Sequence, residues 1–177
     1  MMKNPLAPKP NLNETLFLGV TAAMVASNLM TMFRMFAVRQ GWIDKTVPQA
    51  MEEWVLDKTG TKLVDSPVAH HAVDQVLHMG YAAGLGAVDG YLQKRDVNPY
   101  ARGALIGVAT WAFAGFVLLP ALGVAKGAWN TKKEENLVNL GAHLLFGIGT
   151  ALLTNEMVKQ NTRGPAQALE RAYASVG

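Results

Sequence analysis

The stretch GALIGVATWAFAGFVLLPALGVA, residues 103–125, holds 23 residues without a charge, between Arg102 and Lys126. About 20 apolar residues cross the hydrocarbon core of a bilayer, so this run reads as a transmembrane helix. Two further runs have the same character. TLFLGVTAAMVASNLMTMF covers 15–33, between Glu14 and Arg34. NLVNLGAHLLFGIGTALLTN covers 136–155, between Glu135 and Glu156. Buried helices of soluble bundles rarely run this long without a charge, which disfavours a soluble fold. A fourth candidate, roughly Val68 to Leu92, is less apolar and contains His70, His71, Asp74, His78 and Asp89.

The expected fold is therefore all-α: an integral membrane four-helix bundle with spans at about 14–37, 67–92, 99–125 and 134–158. Polar tails at 1–13 and 160–177 flank it. Composition agrees. Half of the 177 residues are apolar and 16% are charged, against about 25% charged in a soluble domain. The net charge of +3 is spread along the chain, so no basic face offers itself to nucleic acid. There is no Cys, which excludes disulfides, thiolate metal sites and cysteine nucleophiles. A secretory signal fits the first run poorly, because the run is too long and lacks a small-x-small cleavage site.

Local signals mark the helix ends. Ser66-Pro67 and Asn98-Pro99 each pair an N-cap with a first-turn proline. Thr131 and Glu134 have capping-box spacing. Pro120 is expected to kink or end the third span. In the first loop, about 47–59 reads as a short amphipathic helix closed by Gly60, with Val47, Met51, Trp54 and Val55 on one face. That face suits either the headgroup region or a cap on the bundle. Four spans put both termini on one side and Trp42, Trp54 and Trp129 on the other, as an interfacial aromatic belt requires. Lys and Arg divide eight against eight between the two sides. The fewer acids on the terminal side and the basic loop 94–102 favour cytoplasmic termini.

The second and fourth spans share His-x-x-aromatic-small-x-Gly, at His78-Met-Gly-Tyr81-Ala-Ala-Gly84 and His143-Leu-Leu-Phe146-Gly-Ile-Gly149. The first and third share Leu18-Gly19-Val20 and Ile106-Gly107-Val108. This suggests two parallel copies of a helical hairpin, related by an axis along the membrane normal. Gly80/Gly84, Gly86/Gly90, Gly103/Gly107 and Gly123/Gly127 have G-x-x-x-G spacing, which lets helices approach closely in lipid. Gly80 with Gly84 and Gly103 with Gly107 are candidates for helix packing, the latter also for contact with a second chain.

On a helical wheel His70, His71, Asp74, His78, Tyr81 and Asp89 fall within one quarter of the second span. A carboxylate at the bilayer centre costs about 2.5–3.5 kcal/mol on insertion scales, so this face must look inward. Asn136, Asn139, His143, Thr150 and Thr154 form a matching stripe on span four, and Thr21, Asn28 and Thr31 one on span one. At 1.5 Å per residue, His78 and His143 both lie about 14–16 Å into the membrane. The expected polar core is Asp74, His78, Tyr81, Asp89, Asn139, His143 and Asn28.

Several uses of that core stay open. Histidine titrates near neutral pH, which suits a proton- or ion-linked core. His70, His71, Asp74, His78 and His143 could hold a divalent metal such as zinc or iron. His78 and His143 on separate helices could hold a b-type haem. Alternatively, the groups bond one another and specify helix pairing. Catalysis has little support, because there is no Gly-rich phosphate loop and no H-E-x-x-H, and Ser27 and Ser66 have no evident base. The leading expectation is a non-enzymatic membrane protein with a polar intramembrane core. The alternatives are a haem- or metal-binding subunit, or a packing subunit of a homo-oligomer or larger membrane complex.

His78-x-x-Tyr81-Ala-x-Gly84 and the Gly19-Val-x-Ala phrase resemble the YagU-type family of small bacterial inner-membrane proteins. The resemblance covers Glu14 to Lys159 and implies a multi-span protein of the bacterial inner membrane. It supplies no catalytic residues. The loop from Arg39 to Ser66 and the His70-His71 pair fall outside its pattern.

Overall fold

A computed structural model describes residues 11–44, 46–60, 67–95 and 97–174. Ser66, and the side chains of His70, His71 and Asp74, lie outside the described residues. The described residues are helical, with no strand among them: α1 (Leu12–Arg39), α2 (Val47–Thr59), α3 (Pro67–Leu92), α4 (Pro99–Phe113), α5 (Leu119–Leu122) and α6 (Lys133–Ala174).

Local chemistry explains the ends. Asn11 and Glu14 close a reciprocal capping box on α1, so this helix begins inside the segment read as a tail. Asn98 accepts from the backbone N–H groups of Tyr100 and Ala101, and Pro99 opens α4. Thr46 caps α2, and Gly60 ends it at φ +64°, a left-handed conformation that favours glycine. The Thr131–Glu134 box does not form. The Thr131 hydroxyl donates to the Gly127 carbonyl, and the Asn136 amide donates to Ala128 at 2.6 Å. Pro120 acts upstream of itself. It has no N–H for the carbonyl of residue 116 and its ring crowds that group, and the helix widens into a π turn at Ala114–Leu118. The expected C-terminal tail is a helix as well, because α6 continues through Gly164 and Pro165 to Ala174.

Three segments are long and apolar enough to cross a membrane: Leu12–Arg39, Pro99–Leu122 and Lys133–Thr162. Their outer faces leave large apolar side chains uncovered, such as Phe17 at 69% and Leu105 at 66% exposure. A water-soluble monomer does not expose so much contiguous apolar surface.

The helices pair α1 with α3, α4 with α6, and α1 with α6. Glycine contacts give the register. Gly90 lies against Thr15 and Leu16, and Gly86 against Gly19 and Val20, so α1 and α3 are antiparallel. Gly107 lies against His143 and Leu144, and Gly103 against Gly147 and Ile148, so α4 and α6 are antiparallel too. Gly149 beside Ala26 and Gly141 beside Phe33 give the same sense for α1 and α6. Gly80 and Gly84 are a different matter. A Cβ on either would point into open space, so they do not pack helices.

These contacts match the hairpins in an order that the His-x-x-aromatic phrase does not suggest. A Cβ on Gly19 would meet Gly90 N at 2.8 Å and Gly90 Cα at 2.9 Å. A Cβ on Gly147 would meet Gly107 N at 2.7 Å and Gly107 Cα at 3.0 Å. Gly86 then corresponds to Gly103, and Thr15 to His143. In packing, α1 is the counterpart of α6, and α3 of α4. Because α1 and α6 run in opposite directions, the axis that exchanges these contacts lies across the helices, not along them. The sequence carries the same match. Gly19-Val-Thr-Ala-Ala23 aligns with Gly147-Ile-Gly-Thr-Ala151, and Gly86-Ala-Val-Asp-Gly90 with Gly103-Ala-Leu-Ile-Gly107.

Candidate functional site

The buried face of α1 is a ladder at four-residue spacing: Ala22, Ala26, Met30 and Arg34. Its middle members, Ala26 and Met30, pack with Ala82, Ala142 and Phe146. Its last member is a cation. Arg34 is only 3% exposed, and its Nε and Nη2 are buried with no hydrogen-bond partner among the described residues.

Arg34 lines a cavity of about 220 Å³ between α1, α3, α4 and α6. The polar lining includes His78, Tyr81, Asn139 and His143. The apolar lining includes Met30, Leu77, Trp111, Leu118 and Phe146. Ala114 and Gly115 of the π turn form part of the wall. Val47 and Met51 bring α2 to the edge of the same cavity. Of the two readings of α2, its packing on α3 and this contact favour the cap.

The imidazoles are set differently. His143 is buried, and its Nδ1–H donates to the Asn139 carbonyl at 2.7 Å. That bond leaves Nε2 as the free position of the neutral ring. His78 Nε2 is buried without a partner among the described residues. A guanidinium edge and an imidazole nitrogen, both orphaned, thus line one cavity. Leaving a buried donor unmade costs about 1–3 kcal/mol, and more for a charged group.

The other residues of the expected polar core lie elsewhere. Asn28 is exposed, and its amide donates to the Met24 carbonyl on its own helix. Asp89 is fully buried, but it is paired with Arg102 at 2.7 Å. It shares a wheel face with His78 and sits 11 residues further along α3, about 16 Å at 1.5 Å per residue. A wheel projects out depth, and that merged two separate sites. Trp42 and Trp129 are exposed, with edge and tilted contacts to Phe36 and Phe116. Trp54 is half-buried.

The decisive residue was missed. Arg34 read as the flank of a charge-free run, although its spacing from Met30, Ala26 and Ala22 places it on the buried face. Among the described residues no group of three or more His, Asp, Glu or Cys could hold a metal. The pair that remains, His78 and His143, shares its cavity with two cations, Arg34 and Lys126, against one carboxylate, Glu135, and this net positive charge disfavours a cation and favours an anion. No protein-family model matches the chain, and neither the curated proteins nor the solved structures give a match.

Proposed function

We propose that this is a four-span membrane protein that binds an anion, without chemistry on it, in the cavity around Arg34. The fourth span is α3. Its 26 residues reach about 39 Å, enough to cross. Gln75, His78 and Asp89 lower its hydropathy, while Val68, Val76 and Val88 give it an exposed apolar side. The setting is a bacterial inner membrane, with both termini on the cytoplasmic side. That location rests on the YagU-type resemblance and on the distribution of acids.

The observation that carries the reading is the orphaned guanidinium. An unpaired buried charge is strongly unfavourable, so its natural complement is an oxyanion. The two free nitrogens, Nε and Nη2, form one edge of the guanidinium, which takes two parallel N–H···O bonds from a carboxylate or phosphate. The Tyr81 hydroxyl can add a donor. The polar core is thereby ion-linked, through an anion held by a permanent charge.

The test is thermal unfolding in zwitterionic nanodiscs, titrated with acetate, phosphate and chloride. At least one anion is expected to stabilise the wild type, by about 2.7 kcal/mol at 100 times its dissociation constant. Arg34→Gln is expected to lose that response while keeping its helical circular dichroism. If neither these anions nor a longer-chain carboxylate acts on the wild type, or if Arg34→Gln responds equally, the proposal is wrong.

A further inference from the structure

Resting on that reading, we infer that the ligand is an amphipathic carboxylate: one carboxyl group on Arg34 with an aliphatic tail among Met30, Leu77, Trp111, Leu118 and Phe146. The headgroup is argued from the protein's own second buried arginine. Arg34 and Arg102 are each 3% exposed. Arg102 is satisfied on Nε by the Asp89 carboxylate at 2.7 Å and on Nη2 by the Ala151 carbonyl at 3.1 Å. The same two nitrogens of Arg34 have no partner among the described residues. A planar carboxylate fits that fork.

The tail is argued from the walls. A small inorganic anion would leave most of this cavity empty, because its walls are largely aliphatic and aromatic even with Lys126, Glu135, Asn136 and Asn139 counted beside Arg34 and the two imidazoles. A cavity lined by apolar groups with few convergent polar ones is matched by a ligand divided in the same way. Arg34 lies five residues from the end of α1, about 8 Å along the axis. A carboxyl there sits below the membrane surface, and most of the wall open to its tail is apolar.

The experiment measures binding to the full-length protein in phosphatidylcholine nanodiscs, with empty nanodiscs as the partition blank. The probes are acetate, butyrate, hexanoate and octanoate, with octanol and octyl phosphate as controls. Affinity is expected to rise about fourfold per methylene until the cavity is filled. Octanol should bind at least 100-fold more weakly than octanoate. Quenching of Trp111 by a brominated alkanoate, lost in Trp111→Phe, should place the tail. Arg34→Lys should bind octanoate at least tenfold more weakly, since it keeps the charge and loses the fork.

If acetate and octanoate bind equally, the anion site stands and the tail assignment falls. Tighter binding of octyl phosphate than octanoate would overturn the carboxylate. Failure of every acid in the wild type, with other anions also silent, would remove the anion reading and this inference together.

Discussion

Replacing Asp89 by alanine is expected to destabilise the protein by about 3–5 kcal/mol, the cost of leaving a buried charge without its partner. Asp89 is completely buried on α3, and Arg102 opposite it on α4 is 3% exposed. The pair is short at 2.7 Å, and the guanidinium also bonds the Ala151 carbonyl of α6. One side chain therefore joins three helices, where α3 and α4 otherwise touch little. Without the carboxylate, Arg102 keeps a single carbonyl. Asp89→Leu combined with Arg102→Met removes both charges and should recover most of the loss, because well-packed apolar replacements of buried ion pairs are often neutral or stabilising. Reversible unfolding in mixed micelles measures both. A double variant as unstable as Asp89→Ala would show that packing, not charge pairing, sets the effect.

The second large effect is expected at the crossing glycines. Gly19→Ala and Gly147→Ala each place a Cβ within 3 Å of the facing backbone, at Gly90 and Gly107 respectively. Backbone cannot turn aside as a long side chain can, so the helix pair must separate. Overpacking of this kind costs about 1–3 kcal/mol, occasionally more, and valine at either site should prevent assembly of its hairpin. Gly80→Ala and Gly84→Ala make the contrast, since their Cβ atoms meet nothing. They should be neutral or stabilise by roughly 0.5–1 kcal/mol through helix propensity. Equal losses at all four sites would show that these close approaches do not support the fold.

That contrast marks how far the sequence could be read. G-x-x-x-G spacing describes Gly80/Gly84 and Gly103/Gly107 alike, and only the packing tells them apart. The three apolar runs, the Asn98-Pro99 start and the Gly60 stop are local signals, each acting within a few residues. The internal match needed α1 compared with α6. The His-x-x-aromatic phrase instead links α3 to α6, and it is short and composed of residues common in membrane helices. Asp89 and His78 were grouped because periodicity reports the face of a helix and not depth along it.

The site was legible in part. His78, Tyr81, Asn139 and His143 line the cavity, and each is a polar residue within an apolar run. Arg34 was hidden by its place at the edge of such a run. The expected span of about 14–37 already held Arg34, and what the edge of the run hid was its place on the buried face of α1. Pro120 was expected to kink or end its helix. Its effect is spread upstream into a π turn, and that turn supplies Ala114 and Gly115 to the cavity wall.

The central claim is that a carboxylate sits on Arg34. The most direct measurement is magic-angle-spinning NMR in bilayers, reading the dipolar coupling between carboxyl-¹³C octanoate and ¹⁵N-labelled arginine side chains. Direct contact predicts strong dephasing by guanidinium nitrogens in the wild type, lost in Arg34→Lys. Dephasing that persists in Arg34→Lys, or none in the wild type with octanoate in excess, would contradict the claim.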